Sequence, residues 1–113
     1  MKVETAIRQI AKEVLPDTIN GIRVQYDLRS VKSARYYDAK DYILTIMPVE
    51  IQCENVAVSI RICPDDFPFD LSESSLAYGR LRRHVEEILL IYIRNIKKLS
   101  QMQLRSNLSV KEA

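Results

Sequence analysis

His84 is the one histidine in the chain, and it stands in the stretch "RLRRH", Arg80 to His84. No serine or cysteine lies at a spacing that would pair with it for nucleophilic catalysis, so nothing marks it as a base. It reads as an exposed helix residue at the edge of a basic stripe. Cys53 and Cys63 are the only cysteines. If Cys53-Glu54-Asn55 turns a hairpin, Cys63 lies at the far end of the returning strand. At roughly 3.3 Å per residue the two sulfurs are then more than about 20 Å apart, beyond the reach of a disulfide. Both read as small core hydrophobes. A structural zinc site needs four ligands at close spacing, and two cysteines with one histidine do not supply them. Asp65, Asp66, Asp70 and Glu73 are oxygen donors of the kind Mg²⁺ or Ca²⁺ takes. They lack the EF-hand spacing and its glycine, and a loop leading into a helix cap accounts for them. Gly21 and Gly79 are the only glycines, which removes any Gly-rich phosphate loop. The expectation is a protein that is not an enzyme, with no metal, no cofactor and no small-molecule substrate.

The residue types that remain informative are basic and apolar, and they sit together. Residues 1–75 carry nine basic and twelve acidic side chains, a net −3, whereas residues 76–113 carry eight basic and three acidic, a net +5. The basic excess falls on "LRRHVEEILLIYIRNIKKL", Leu81 to Leu99. At 100° per residue, Leu81, Val85, Ile88, Leu89, Tyr92, Ile96 and Leu99 share one side of a helix, a sufficient core face. Opposite lie Arg80, Arg83, Arg94, Lys98 and Arg105, with Glu87 among them. Leu90 and Ile91 also point away from the core face, and Ile93 sits on its flank. A helix that is apolar on more than one side is usually covered on more than one side. Burying two such side chains is worth roughly 3–5 kcal/mol, too little alone for a tight complex.

The elements that position these residues follow from periodicity. Val3, Ala6, Ile7, Ile10, Ala11, Val14 and Leu15 trace one helical face over about residues 2–15, and Pro16 stops it. Residues 17–21 form a connector with Asn20-Gly21 as the turn signal. Ile22, Val24, Tyr26 and Leu28 alternate with polar residues and predict a strand with one wet face. Residues 30–40 predict a long, mobile hairpin loop. Asp41 to Gln52 predicts a central strand covered on both faces, with a bulge or break at Pro48. Val56 to Ile62 predicts the third strand, ended by Pro64. In "PDDFPFDLSESS", Asp70 and Glu73 have capping-box spacing and Ser72 competes as N-cap. The second helix then runs from about Glu73 to Arg105, with a kink at Gly79, and 106–113 is a flexible tail. The order helix, three-stranded antiparallel meander, long helix predicts a single α+β domain over residues 1–105. That helix is roughly 45 Å long, so its last turns overhang a sheet of about ten-residue strands.

The length of 113 residues suits one core. Hydrophobic and charged fractions of 47% and 28% are those of a soluble globular protein. The longest apolar run, Ile88 to Ile93, is far short of the roughly 20 residues that span a bilayer. No apolar leader precedes the first helix. A cytoplasmic protein without membrane contact is the expectation.

Two resemblances touch this chain. The α-β-β-β-α order resembles that of double-stranded-RNA-binding domains, with "RLRRH" near the place of their phosphate-binding lysines. The Lys-Lys-x-Ala-Lys pattern of that family is absent. "IRICPDDFPF", Ile60 to Phe69, looks like the strand-to-Tyr-Pro turn of RWD and ubiquitin-conjugating-type domains, over about a tenth of the chain. Ser72 replaces the second proline, no His-Pro-Asn follows, and the helix begins where a fourth strand is expected, so it is set aside. The sequence therefore predicts a protein–protein interaction module with an adaptor, chaperone-like or inhibitory role. Its interface centres on Leu90, Ile91 and Arg94, and it forms a homodimer through the long helix or binds another protein. The alternative is a nucleic-acid-binding module using Arg80, Arg83, Arg94, Lys98 and Arg105. A further use of the acidic 64–73 loop is to meet the basic stripe of a second molecule.

Overall fold

The computed structural model describes the backbone of residues 1–50 and 56–112, and the side chains of 1–50 and 56–99. The first helix, α1, spans Val3–Val14 and buries Val3, Ala6, Ile7, Ile10 and Ala11, the face read from its periodicity. Its last N–H bond to Ala11 comes from Leu15, one residue before the proline that stops it.

The sheet has four strands, not three. Thr18–Ile19 forms a two-residue strand, β1, inside the segment read as a connector. It pairs antiparallel with β2, Ile22–Lys32, through Thr18↔Arg23 and Ile19↔Ile22. The turn between them is Asn20-Gly21, with φ of 52° and 79°. Positive φ at both positions is the type I′ signature, and asparagine followed by glycine is the pair that tolerates it best. β1 escaped the sequence reading because two residues carry no alternation. The β3 strand is Lys40–Pro48 and β4 is Val58–Ile62. The order is β1-β2-β3-β4, antiparallel throughout. The strand beyond the expected three, β1, lies at the N-terminal edge, and no strand intervenes between the Phe67-Pro68 turn and the last helix.

Register explains the layers. Tyr26, Ile46 and Val58 align across the sheet, as do Leu28, Leu44 and Ile60. These residues face the helices, and the core joins Leu44, Ile46 and Ile62 to Ile7 and Ile10 of α1. The reverse face carries Gln25, Asp27 and Arg29 beside Met47, Thr45 and Ile43. No described element covers it, so β3 is central but not doubly covered. Its outward apolar residues Ile43 and Met47 stay half-exposed. Pro48 ends β3 opposite Val24, so the donor it lacks falls at a strand terminus and not inside the ladder. Gln52, where the sequence reading ended this strand, and the hairpin turn at Cys53 lie outside the described residues.

The hairpin loop between β2 and β3 shrinks to residues 33–39, because the strands pair as far out as Lys32↔Lys40. After β4, a single 3₁₀ turn at Pro64–Asp66 leads into the extended segment before the long helix.

The long helix, α2, spans Leu76–Glu112, about 55 Å at 1.5 Å per residue. It starts three residues later than the capping-box spacing suggested. The cap is Ser75, whose Oγ accepts the N–H of Tyr78 at 3.1 Å while donating to the Ser72 carbonyl. Asp70 is unavailable for capping, since it accepts from the Met1 amino group. Glu73 instead accepts from Gln9 of α1. The helix passes through Gly79 without interruption, and it continues past Arg105 to Glu112. The stripe Leu81, Val85, Ile88, Tyr92 and Ile96 is buried, and Leu89 and Leu99 are half-buried beside it.

The two glycines predict opposite responses to one substitution. A Cβ at Gly79 meets nothing within 4 Å in a helix, so Gly79→Ala should raise stability by about 0.5–1 kcal/mol. Gly21→Ala places a side chain at φ 79°, and should lower stability by about 1 kcal/mol or more. Urea unfolding followed by circular dichroism measures both.

Candidate functional site

The outward side of α2 is fixed by what the inward side must do. The sheet and α1 hold one stripe of the helix, and the described residues opposite it, Arg83, Glu87, Leu90, Ile91, Arg94 and Lys98, are turned to solvent. Leu90 is 61% exposed and Ile91 44%. At about 100° per residue the two straddle the line opposite the core stripe, and Glu87 and Arg94 fall close to that line one turn to either side. Glu87, Arg94, Lys97 and Lys98 are all exposed. The three residues expected at an interface, Leu90, Ile91 and Arg94, therefore form one continuous patch on one helix.

The basic stripe divides on inspection. Arg82 lies on the flank and is paired, with Glu13 of α1 at 2.7 Å and Glu86 at 3.1 Å. It ties α2 to α1 and is not part of the outward face. Arg80 stands over the Phe67 ring at 5.9 Å, a cation–π distance. Among the described residues Arg83, Arg94 and Lys98 make no ion pair. Arg105 belongs to the same helix, and its side chain lies outside the described residues.

The acidic stretch before α2 does not gather. Asp66 binds Arg35 through both oxygens, at 2.8 and 3.1 Å. Asp70 and Glu73 turn to Met1 and Gln9, respectively. Among the described residues no group of three His, Cys, Asp or Glu side chains stands close enough to hold a metal ion. None of the described helices is long and apolar enough to cross a membrane.

One polar cluster was not visible in the sequence. Asp41 is 2% exposed, the one buried charged residue among those described. It lies diagonally from Arg61 on the outer sheet face, since Arg61 is paired with Ile43 two residues further along β3. Its Oδ2 accepts from Arg61 at 3.0 Å and from the Ala34 N–H at 3.3 Å, while Oδ1 has no partner. Burial pushes this carboxyl up. The Arg61 and Ala34 hydrogen bonds, the nearby Cys63 thiol and the Arg61 charge outweigh that and hold it below the usual carboxylate value. Arg61 also donates to the Lys32 carbonyl. With the Arg35–Asp66 pair, and Ser33 Oγ accepting from the N–H groups of Arg35 and Tyr36, this pins the 33–39 loop to β4 and to the turn after it. The signal was beyond sequence reading, because only strand register puts residues 41 and 61 side by side. Cys63 is buried beside this cluster as a free thiol. Cys53 lies outside the described residues.

A groove of about 450 Å³ opens between β4 and the first turns of α2. Ile60, Arg61, Ile62 and Cys63 form one wall, with Arg80 and His84 on the other. His84 is exposed there, and no described partner orients it as a catalytic base.

Comparison with protein-family models, with curated proteins and with solved structures gave no significant match.

The depressed Asp41 carboxyl gives a pH prediction. A group whose folded pKa is lowered stabilises the fold above its unfolded value, near about 4. That contribution fades as pH falls from there through the folded value. Asp41→Asn should flatten the acid limb of the stability curve below about pH 4, measured by urea midpoints at stepped pH. Arg61→Gln, by removing the principal partner, should move the Asp41 carboxyl upward in a carbon-detected NMR titration.

Proposed function

We propose that this protein works by protein–protein contact, as a module that self-associates through the outward face of α2. The observation that carries the reading is the exposed Leu90–Ile91 pair at the centre of a helix face with opposite charges set evenly on either side. A two-fold axis between Leu90 and Ile91 would pair the helices antiparallel. Leu90 of one copy then meets Ile91 of the other, and Glu87 meets Arg94 twice, once on each side of the axis. Further out, Arg83 would face Lys98, which limits the contact and makes it salt-sensitive.

The magnitudes point to a weak dimer. Two copies hide four side chains that are each about half-exposed, worth roughly 3–6 kcal/mol. Association costs about 4–15 kcal/mol in lost freedom, so flanking surface has to contribute. A dissociation constant between about 1 and 50 µM fits these terms. An adaptor, chaperone-like or inhibitory role is consistent with a partner-facing helix and no described catalytic cluster.

Light scattering after size exclusion tests this. At about 50 µM the wild type should show a mass above that of the monomer, and Ile91→Asp should weaken association about tenfold or more. Glu87→Arg alone and Arg94→Glu alone should each weaken it severalfold, and the double exchange should restore it. A wild type that stays monomeric at that concentration ends the reading. Dimers indifferent to the exchanges keep self-association and discard the antiparallel geometry.

One observation favours a second reading, binding of nucleic acid: Arg83, Arg94 and Lys98 are exposed with no described ion-pair partner. Arg80 and Arg105 would extend the track along a phosphate backbone. Retention on heparin should then fall steeply with salt, and Arg94→Glu with Lys98→Glu should shift elution to lower salt. Unchanged elution would leave these residues as a solvated face.

A further inference from the structure

We infer that the free edge of β4 is a docking site for an extended acidic segment of a partner protein, which adds to the sheet as a further strand. This rests on a different surface from the α2 contact. β4 ends the strand order, and among the described residues no strand pairs with its other side. The groove beside it is lined by four consecutive residues, Ile60 to Cys63. Side chains on a strand alternate between faces, so an unbroken run along one wall means that the backbone edge itself borders the space. An exposed edge offers unpaired N–H and C=O groups, which is how extended peptides are captured by strand addition.

The occupant's charge follows from the walls. Two of the ionic groups there are already spoken for: Asp66 by the two hydrogen bonds from Arg35, and Arg61 by Asp41. Arg80 and His84 face the groove from α2 with no described ion-pair partner. Ile60, Ile62 and Phe67 supply apolar lining between them. A volume of about 450 Å³ is within the range of pockets that take a short ligand segment. Alternation puts one row of an incoming strand's side chains on the inner face, where glutamate stems would cross Ile60, Ile62 and Phe67 and their carboxylates reach Arg80 and His84, and the other row on the outer face beside Arg61. The other open edge, residues 25–32 of β2, carries Asp27, Arg29 and Lys32 of mixed sign. Mixed signs there give an acidic strand no net attraction, whereas the one charged residue of β4 is Arg61.

The probes are fluorescein-labelled heptapeptides, acetyl-Val-Glu-Val-Glu-Val-Glu-Val-amide and its lysine counterpart, titrated against the full chain. Fluorescence anisotropy reads affinity, and amide shifts locate the site. The glutamate peptide should bind at least tenfold tighter than the lysine peptide and shift the amides of residues 58–63. N-methylation at alternate peptide nitrogens should abolish binding. Arg80→Glu with His84→Glu should reverse the charge preference, and Ile91→Asp should leave it unchanged. Equal affinity for both peptides, no binding at millimolar concentration, or shifts confined to β2 would overturn the proposal. So would peptide affinity that weakens as protein concentration rises, since the edge would then be closed by a second copy.

Discussion

A single apolar layer between the inner sheet face and the two helices is what this structure depends on. Leu44, Ile46 and Ile62 supply the sheet side, Ile7 and Ile10 the short helix, and Leu81, Val85, Tyr92 and Ile96 the long one. Because the layer is one-sided, it holds one stripe of α2 and nothing more. Close packing at that stripe leaves α2 no freedom to rotate and hide Leu90 and Ile91 as well. The exposed pair is thus a consequence of the core, not an irregularity added to it. The same one-sidedness leaves the outer face of the sheet to Gln25, Asp27, Arg29 and the half-exposed Ile43 and Met47.

A second layer of constraint is polar and lies at the far end of the β2–β3 hairpin. Asp41 is buried with one unpartnered oxygen and is held by Arg61 on the neighbouring strand. A buried carboxylate without its partner is strongly unfavourable, so this pair fixes the relation of β3 to β4. The Arg35–Asp66 pair then fastens the hairpin loop to the turn after β4. Both pairs sit beside the groove lined by Arg80 and His84, and neither draws on those two side chains. The wall that carries the fixed ion pairs and the wall that carries the free ones belong to different elements. Arg80, which has no described ion-pair partner, leaves the rim of the groove net positive.

Much of the fold was legible before any coordinates. The i, i+3, i+4 pattern of Val3 to Leu15 and the alternation from Ile22 to Leu28 translate directly into α1 and the inner face of β2. Asn20-Gly21 names its own turn, since few residue pairs accept two positive φ values. Asp70, Ser72 and Ser75 are all competent N-caps, and propensity does not rank them. Which one caps was decided by distant partners, when Asp70 went to Met1 and Glu73 to Gln9. A two-residue strand such as β1 has no period to detect. The apolar run in β3 reads as doubly covered, but whether a second layer exists is a property of the whole chain.

The sequence by itself determined which residues are apolar, how often they recur, and therefore the element types, the core face of α2 and the surplus of apolar and basic side chains opposite it. Local periodicity encodes these because a helix or strand presents its faces at fixed angles. The tertiary structure decided which polar residues meet, where the sheet ends and which edge stays open. Those outcomes depend on register and on contacts between residues far apart in the chain, such as Asp41 with Arg61 or Arg35 with Asp66. No pattern within one segment specifies a partner in another, so the groove beside β4 came into view only with the fold.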